Sequence, residues 1–103
     1  MAQIGSRNFL FEDPVDYELL DVGAAVLGFT PAKFTANTWK VRFRVQDGPA
    51  RWKMAGGDPT SGDGEPLYDG DWREMTVEEA KKAKFIRTGA TNAKIIGHFY
   101  EPK

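Results

Sequence analysis

From Thr38 to Val45 the chain alternates without a break. Trp39, Val41, Phe43 and Val45 fall on one side, with Lys40, Arg42 and Arg44 between them. A period of 2 over eight residues describes a β-strand with one face buried, and no helix can sort these side chains that way. Gln46-Asp47-Gly48-Pro49 follows as a tight connection carrying the Asp-Gly turn signal. The reading is a hairpin in which Ala50–Ala55 returns beside the first strand. Trp52 and Met54 extend its apolar face, and Arg51 and Lys53 extend its basic one.

The next stretch repeats the theme of strand and turn. Arg51-Trp52-Lys53-Met54 enters a loop of Gly, Asp, Pro, Thr and Ser, and the Leu67-Tyr68 pair leaves it for a second turn at Asp69-Gly70-Asp71. Upstream, Tyr17–Val22 reads as a strand stopped by Gly23. Ala24–Phe29 is a second apolar run, ended by Thr30-Pro31 as a turn or a very short helical start. Downstream, Trp72–Val77 is strand-like. Thr76 and Glu79 then have the spacing of a capping box, which predicts one or two helical turns over residues 77–83. Lys84–Thr88 and Ala93–Glu101 read as closing strands around a Gly89-Ala90-Thr91-Asn92 turn. About seven short strands at this spacing predict an all-β fold, a small antiparallel β-sandwich or jelly-roll-like barrel, over residues 17–103. Residues 1–16 hold no period and read as an extended N-terminal arm. Its Phe9-Leu10-Phe11 cluster would dock on the chain's own core or on a neighbour.

Composition narrows the function classes. At 103 residues, 41% apolar and 13% aromatic, this is one globular domain with a small core. Chain entropy consumes nearly all the stabilisation that such a core supplies, so a partner or an oligomer is a natural expectation. The net charge of −1 does not indicate a global attraction to nucleic acid. The absence of cysteine removes zinc-thiolate sites, disulfides and thiol nucleophiles together. No apolar run has signal-peptide or transmembrane length, so the expectation is a soluble protein with no membrane partner.

Candidate chemistry is sparse. His98 is the sole histidine and lacks convergent partners for a metal or a triad. Asp58, Asp63, Glu65, Asp69 and Asp71 are crowded enough for calcium to be conceivable, but they match no EF-hand. The Gly-rich loop lacks the Gly-Lys-Ser/Thr of a phosphate-binding loop. Acids in turns also lack the apolar pocket that would raise one pKa for glycoside hydrolysis. Turn formation accounts for them, and no catalytic residue, metal or cofactor is expected. Lys40, Arg42, Arg44, Arg51 and Lys53 would line one side of the predicted ribbon. They read either as a solvated face or as a docking surface for an acidic neighbour. Nucleic acid fits less well, because the aromatics alternate away from the basic side. Trp39 and Trp52 read as core. Trp72 breaks the apolar parity of its strand, which places it at a bulge or makes it an exposed aromatic anchor.

The order of these features resembles a group of small β-sandwich virion proteins of tailed bacteriophages. The residues that carry the likeness begin with Leu27-Gly28-Phe29-Thr30-Pro31-Ala32-Lys33-Phe34 and Ala50-Arg51-Trp52-Lys53-Met54. Gly57-Asp58-Pro59-Thr60-Ser61-Gly62 and Leu67-Tyr68-Asp69-Gly70-Asp71 follow, then Phe85-Ile86-Arg87 and Ile95-Ile96-Gly97-His98-Phe99-Tyr100. The likeness spans Val26 to Glu101, and the chain departs from it in carrying Asp63 and Glu65 after the loop. The resemblance implies a non-enzymatic structural protein of the virion, made in the host cytoplasm. The expected role is a capsid decoration or cement protein bound to the major coat protein as a symmetric homo-oligomer, with no cofactor. Neck or tail proteins are the near alternative, and a carbohydrate-binding sandwich module is the distant one. The expected interface comprises Phe9, Leu10, Phe11, Lys40, Arg42, Arg44, Arg51, Lys53 and Trp72. Phe9→Ala or Phe11→Ala is expected to weaken assembly more than folding. An equal loss of melting temperature in the isolated protein would return these rings to its own core.

Overall fold

The alternating segments do become strands, and their apolar sides meet. The computed structural model describes residues 12–103. In chain order these form β1 (Glu12–Val22), β2 (Leu27–Gly28), a 3-10 turn (Pro31–Lys33), β3 (Lys40–Gln46) and β4 (Ala50–Lys53). Then come β5 (Glu65–Leu67), β6 (Trp72–Thr76), the helix α1 (Val77–Lys82), β7 (Lys84–Arg87) and β8 (Ala93–Pro102). Two four-stranded antiparallel sheets result, ordered β1-β8-β3-β6 and β2-β7-β4-β5. The all-β sandwich expected from the pattern is the architecture found, with eight strands rather than seven.

The space between the sheets is filled by rings. Val41, Phe43, Val45, Met75, Ile95 and Phe99 point in from the first sheet, and Ala50, Trp52, Leu67 and Phe85 from the second. Phe43 meets Trp52 at 5.2 Å and Phe85 at 5.3 Å between centroids, both edge-on, and Trp52 lies flat over Phe85 at 5.9 Å. Phe29, just after β2, sets its edge against Phe85 and Phe99. Burial contributes about 1.5–3 kcal/mol per large apolar side chain, and the edge-to-face geometry adds about 0.5–1.5 kcal/mol per pair. The Trp52 indole N–H keeps a partner by donating to Glu65 Oε1 at 2.7 Å.

One expectation of local pairing fails. β3 and β4 do not form a hairpin. β3 lies between β8 and β6 in the first sheet, and β4 lies between β7 and β5 in the second. Residues 46–49 therefore cross from sheet to sheet, with Asp47 at φ 60° and a cis Gly48–Pro49 bond. Among the described strands only β4 and β5 are both consecutive and paired. The alternation could not separate these cases, because both a hairpin and a crossover must present apolar side chains to one core. The consequence is large: Lys40, Arg42 and Arg44 belong to one sheet, Arg51 and Lys53 to the other. The five do not share a ribbon.

Two further boundaries shift. β1 begins at Glu12, so residues 12–16 of the expected arm are sheet, paired with the end of β8. Pro14 and a register slip between Pro14 and Asp16 hid the period there. The Phe9-Leu10-Phe11 cluster lies outside the described residues. Trp39, expected in the core, is about half exposed at 48%. It precedes β3, and periodicity carries no information on where the facing layer stops. The Thr76 capping box forms as expected, with Glu79 N–H donating to Thr76 Oγ1 and Thr76 N–H to Glu79 Oε1.

Gly97 of β8 faces inward, opposite Phe43 of β3. A Cβ there would stand 2.8 Å from Phe29 Cε1. Gly97→Ala is expected to destabilise the fold by about 1–3 kcal/mol in denaturant unfolding, because the ring is held by its neighbours. In a Phe29→Leu background the same change should cost clearly less. An equal cost in both backgrounds would place the constraint elsewhere.

Candidate interaction face

The outer face of the first sheet is built by register. Tyr17 of β1, His98 of β8, Arg42 of β3 and Glu74 of β6 form one cross-strand row. Leu19, Ile96, Arg44 and Trp72 form the next. Tyr17, Leu19 and Trp72 are 46%, 44% and 49% exposed, and Ile96 is half-buried between them. A sheet face that carries this much uncovered apolar and aromatic surface marks an interaction site more often than a solvated wall. Val15, the residue at the register slip, adds to it at the β1 end.

The pairing of β6 with β3 is regular from Thr76 to Trp72, so no bulge lies there. Of the two readings open for Trp72, the exposed aromatic is the one observed. Its ring carries the Arg42 guanidinium, whose carbon lies 4.9 Å from the ring centroid. A guanidinium stacked on indole loses rotamer freedom in advance of any partner. Around Arg42, Arg44, Trp72, Ile96, His98 and Tyr100 the surface sinks into a depression of about 320 Å³. Tyr17 and His98 meet at 5.3 Å along its edge.

The other basic residues are occupied. Lys40 joins Glu12 and Glu74, the latter at 3.1 Å, and lies 4.8 Å over the Tyr100 ring. Burial alone would lower the Lys40 pKa, but hydrogen bonds and charge from the two glutamates outweigh it and hold the ammonium above its ordinary value. Glu12 is itself buried, so this pair fastens the first strand to the sheet. On the second sheet Arg51 donates to the carbonyls of Ser61 at 3.1 Å and Gly64 at 2.6 Å. Lys53 pairs with Asp63 at 2.7 Å and donates to the Gly56 carbonyl. These two side chains clamp the 56–64 loop onto the strands it joins. Pro59 is fully buried, and Gly64, at φ 133°, has a backbone conformation that favours glycine, with a Cβ there standing a tight 3.1 Å from the Trp52 carbonyl. Of the residues expected at an interface, Arg42, Arg44 and Trp72 are brought together on one open face. Lys40, Arg51 and Lys53 are turned to internal work.

Three further acids of the 58–71 stretch serve as internal acceptors. Asp69 accepts from the Asp47 N–H, Asp71 from the Tyr68 N–H, and Glu65 from Trp52. Among the described residues no group of three or more His, Asp or Glu side chains is arranged to hold a metal ion. The alternation of Ile95–Tyr100 places His98 on a sheet face as a surface or interface histidine, and it is exposed there; nothing in the sequence marks Tyr17, Leu19, Ile96 and Tyr100 as its neighbours on this face. Each alternates outward on its strand, but their adjacency exists only once β8 lies between β1 and β3. Comparison with family models, with curated proteins and with solved structures finds no match to this chain.

The Asp63 carboxyl is held below the usual carboxylate range, chiefly by its hydrogen bond and charge contact with Lys53. A carboxyl lowered in the folded state stabilises it at higher pH, and that contribution fades as pH falls through the folded value. Amide hydrogen exchange across 56–64 is therefore expected to quicken as pH drops below about 4, after correction for intrinsic rates. Asp63→Asn should quicken it already at neutral pH and flatten the acid response. An unchanged acid response in that variant would assign it to other groups.

Proposed function

We propose that this chain is a non-enzymatic structural subunit of a bacteriophage particle, a capsid decoration or cement protein. It binds the major coat protein through the outer face of its first sheet, in a symmetric homo-oligomer. The observation that supports this most is the set of large side chains left uncovered on that face, Tyr17, Leu19 and Trp72, with the stacked Arg42 among them. Aromatic and arginine side chains that are rigid before contact concentrate binding energy at protein interfaces. A small sandwich with a marginal core also gains stability from lattice contacts, which fits a protein used in many copies. The turn and strand pattern across Val26–Glu101 supplies the link to virion proteins. Placement at a neck or tail uses the same face on a different neighbour.

The exposed Trp72 also favours a second reading, a carbohydrate-binding module in which the indole stacks on a sugar ring. The Arg42 guanidinium already covers one side of that indole, which leaves a single stacking surface.

The deciding measurement is quantitative mass spectrometry of purified particles. A copy number near that of the coat protein supports decoration, a few copies per particle moves the chain to the neck or tail, and absence from the particle overturns the virion reading. Trp72→Ala is expected to lower particle occupancy about tenfold or more. The melting temperature of the free protein should move by only a few degrees. Full occupancy with this variant would remove Trp72 from the contact.

A further inference from the structure

We propose that the depression formed by Arg42, Arg44, Trp72, Ile96, His98 and Tyr100 is a carboxylate-binding site. It takes an acidic side chain from an extended segment of a partner protein whose neighbouring apolar residues lie along Leu19 and Tyr17. This rests on the assembly reading above and names the chemistry of the partner.

The charge on the face carries the inference. Arg42 stands opposite Glu74 in the β3–β6 register, where a cross-strand ion pair would form. Glu74 instead lies 3.1 Å from Lys40 Nζ. Arg44 has Ile96 and Trp72 as its cross-strand neighbours, neither of which can neutralise it. Among the described residues neither arginine makes an ion pair, and residues 1–11 contain no Asp or Glu. Two guanidinium groups two residues apart on one strand thus flank a recess whose walls are aromatic and aliphatic. Both arginines are exposed; a guanidinium fork matches a carboxylate in two parallel hydrogen bonds, and the apolar residues of a bound segment would exclude water and strengthen them.

The same features select a protein acid over a nucleic acid. On this face Lys40 is held by Glu12 and Glu74, and Lys94 lies 3.7 Å from Asp47, so among the lysines and arginines of the face only Arg42 and Arg44 stand without an ion pair. A polyanion needs cations spaced along its track. Here the ground beside the recess is apolar, and β1 at its edge carries Asp13 and Asp21. A single carboxylate with apolar residues on either side satisfies both the charge and its surroundings.

The test is a titration of the full-length protein, followed by NMR at the Arg42 and Arg44 Nε–H signals and the Trp72 indole N–H. The probe is a short end-capped peptide of alternating leucine and aspartate, run beside its leucine–asparagine counterpart and an oligothymidylate. The expected result is saturable shifts with the aspartate peptide that weaken with added salt. Affinity should fall about tenfold or more in Arg42→Gln or Arg44→Gln, and Arg42→Lys or Arg44→Lys should restore only part of it. An unchanged amide spectrum elsewhere in the protein checks the fold, and the lysine variants carry the comparison if a glutamine variant does not fold. Absence of saturable shifts, equal binding of the asparagine peptide, equal or tighter binding of the oligothymidylate, or insensitivity to the arginine changes would each overturn the site. The titration needs no particle, so its failure refutes the carboxylate site and leaves the particle census to judge the assembly reading.

Discussion

The contact between the two sheets, made by Phe29, Phe43, Trp52, Phe85 and Phe99, is the interaction on which the rest of this molecule depends. A chain of this length has few side chains to spend on its interior, and rings bury the most apolar area per residue ordered. Their edge-on packing needs space that Gly97 leaves open beneath Phe29. Because the rings come from both sheets, each sheet buries its rings only against the other, and six of the seven connections between successive strands cross from one sheet to the other.

That arrangement decides which polar groups are left for function. Each inward side chain forces its strand neighbours outward, so the outer faces collect the charged residues of the alternation. On the second sheet, Arg51 and Lys53 are consumed in tying down a glycine-rich loop. On the first, Lys40 is consumed in fastening β1 through the buried Glu12. What remains is a surface of Tyr17, Leu19, Arg42, Arg44, Trp72 and Ile96, in which the cations are stacked or flanked by apolar groups instead of paired. Water solvates the exposed guanidinium groups of such a surface but leaves Tyr17, Leu19 and Trp72 uncovered. A partner that supplies both apolar area and carboxylates satisfies it better.

Strand identity and the inward or outward direction of most side chains were legible in the sequence. The alternation over 38–45, the capping box at Thr76, the strand–loop–strand of 50–67 and the closing run 93–101 all depend on neighbours within a few residues. The unequal fates of the five basic residues were not legible. They depend on which sheet each strand joins, and a hairpin and a crossover write the same alternation. Trp39 shows the same limit from another side, since its parity matched the core but, just ahead of β3, it stays half exposed.

The sequence by itself determined an all-β chain with one apolar side per strand, turns at the Gly- and Asp-rich points, and one short capped helix. These are consequences of backbone geometry and local hydrogen bonding, which act over a few residues. Tertiary structure alone decided that β8 lies between β1 and β3, and so that Tyr17, Ile96, His98, Arg42 and Trp72 form one surface. It also decided that Arg51 and Lys53 stand apart from that surface. The physical reason is that sheet order is set by how the rings of distant strands pack together, a choice to which each strand's own pattern is indifferent.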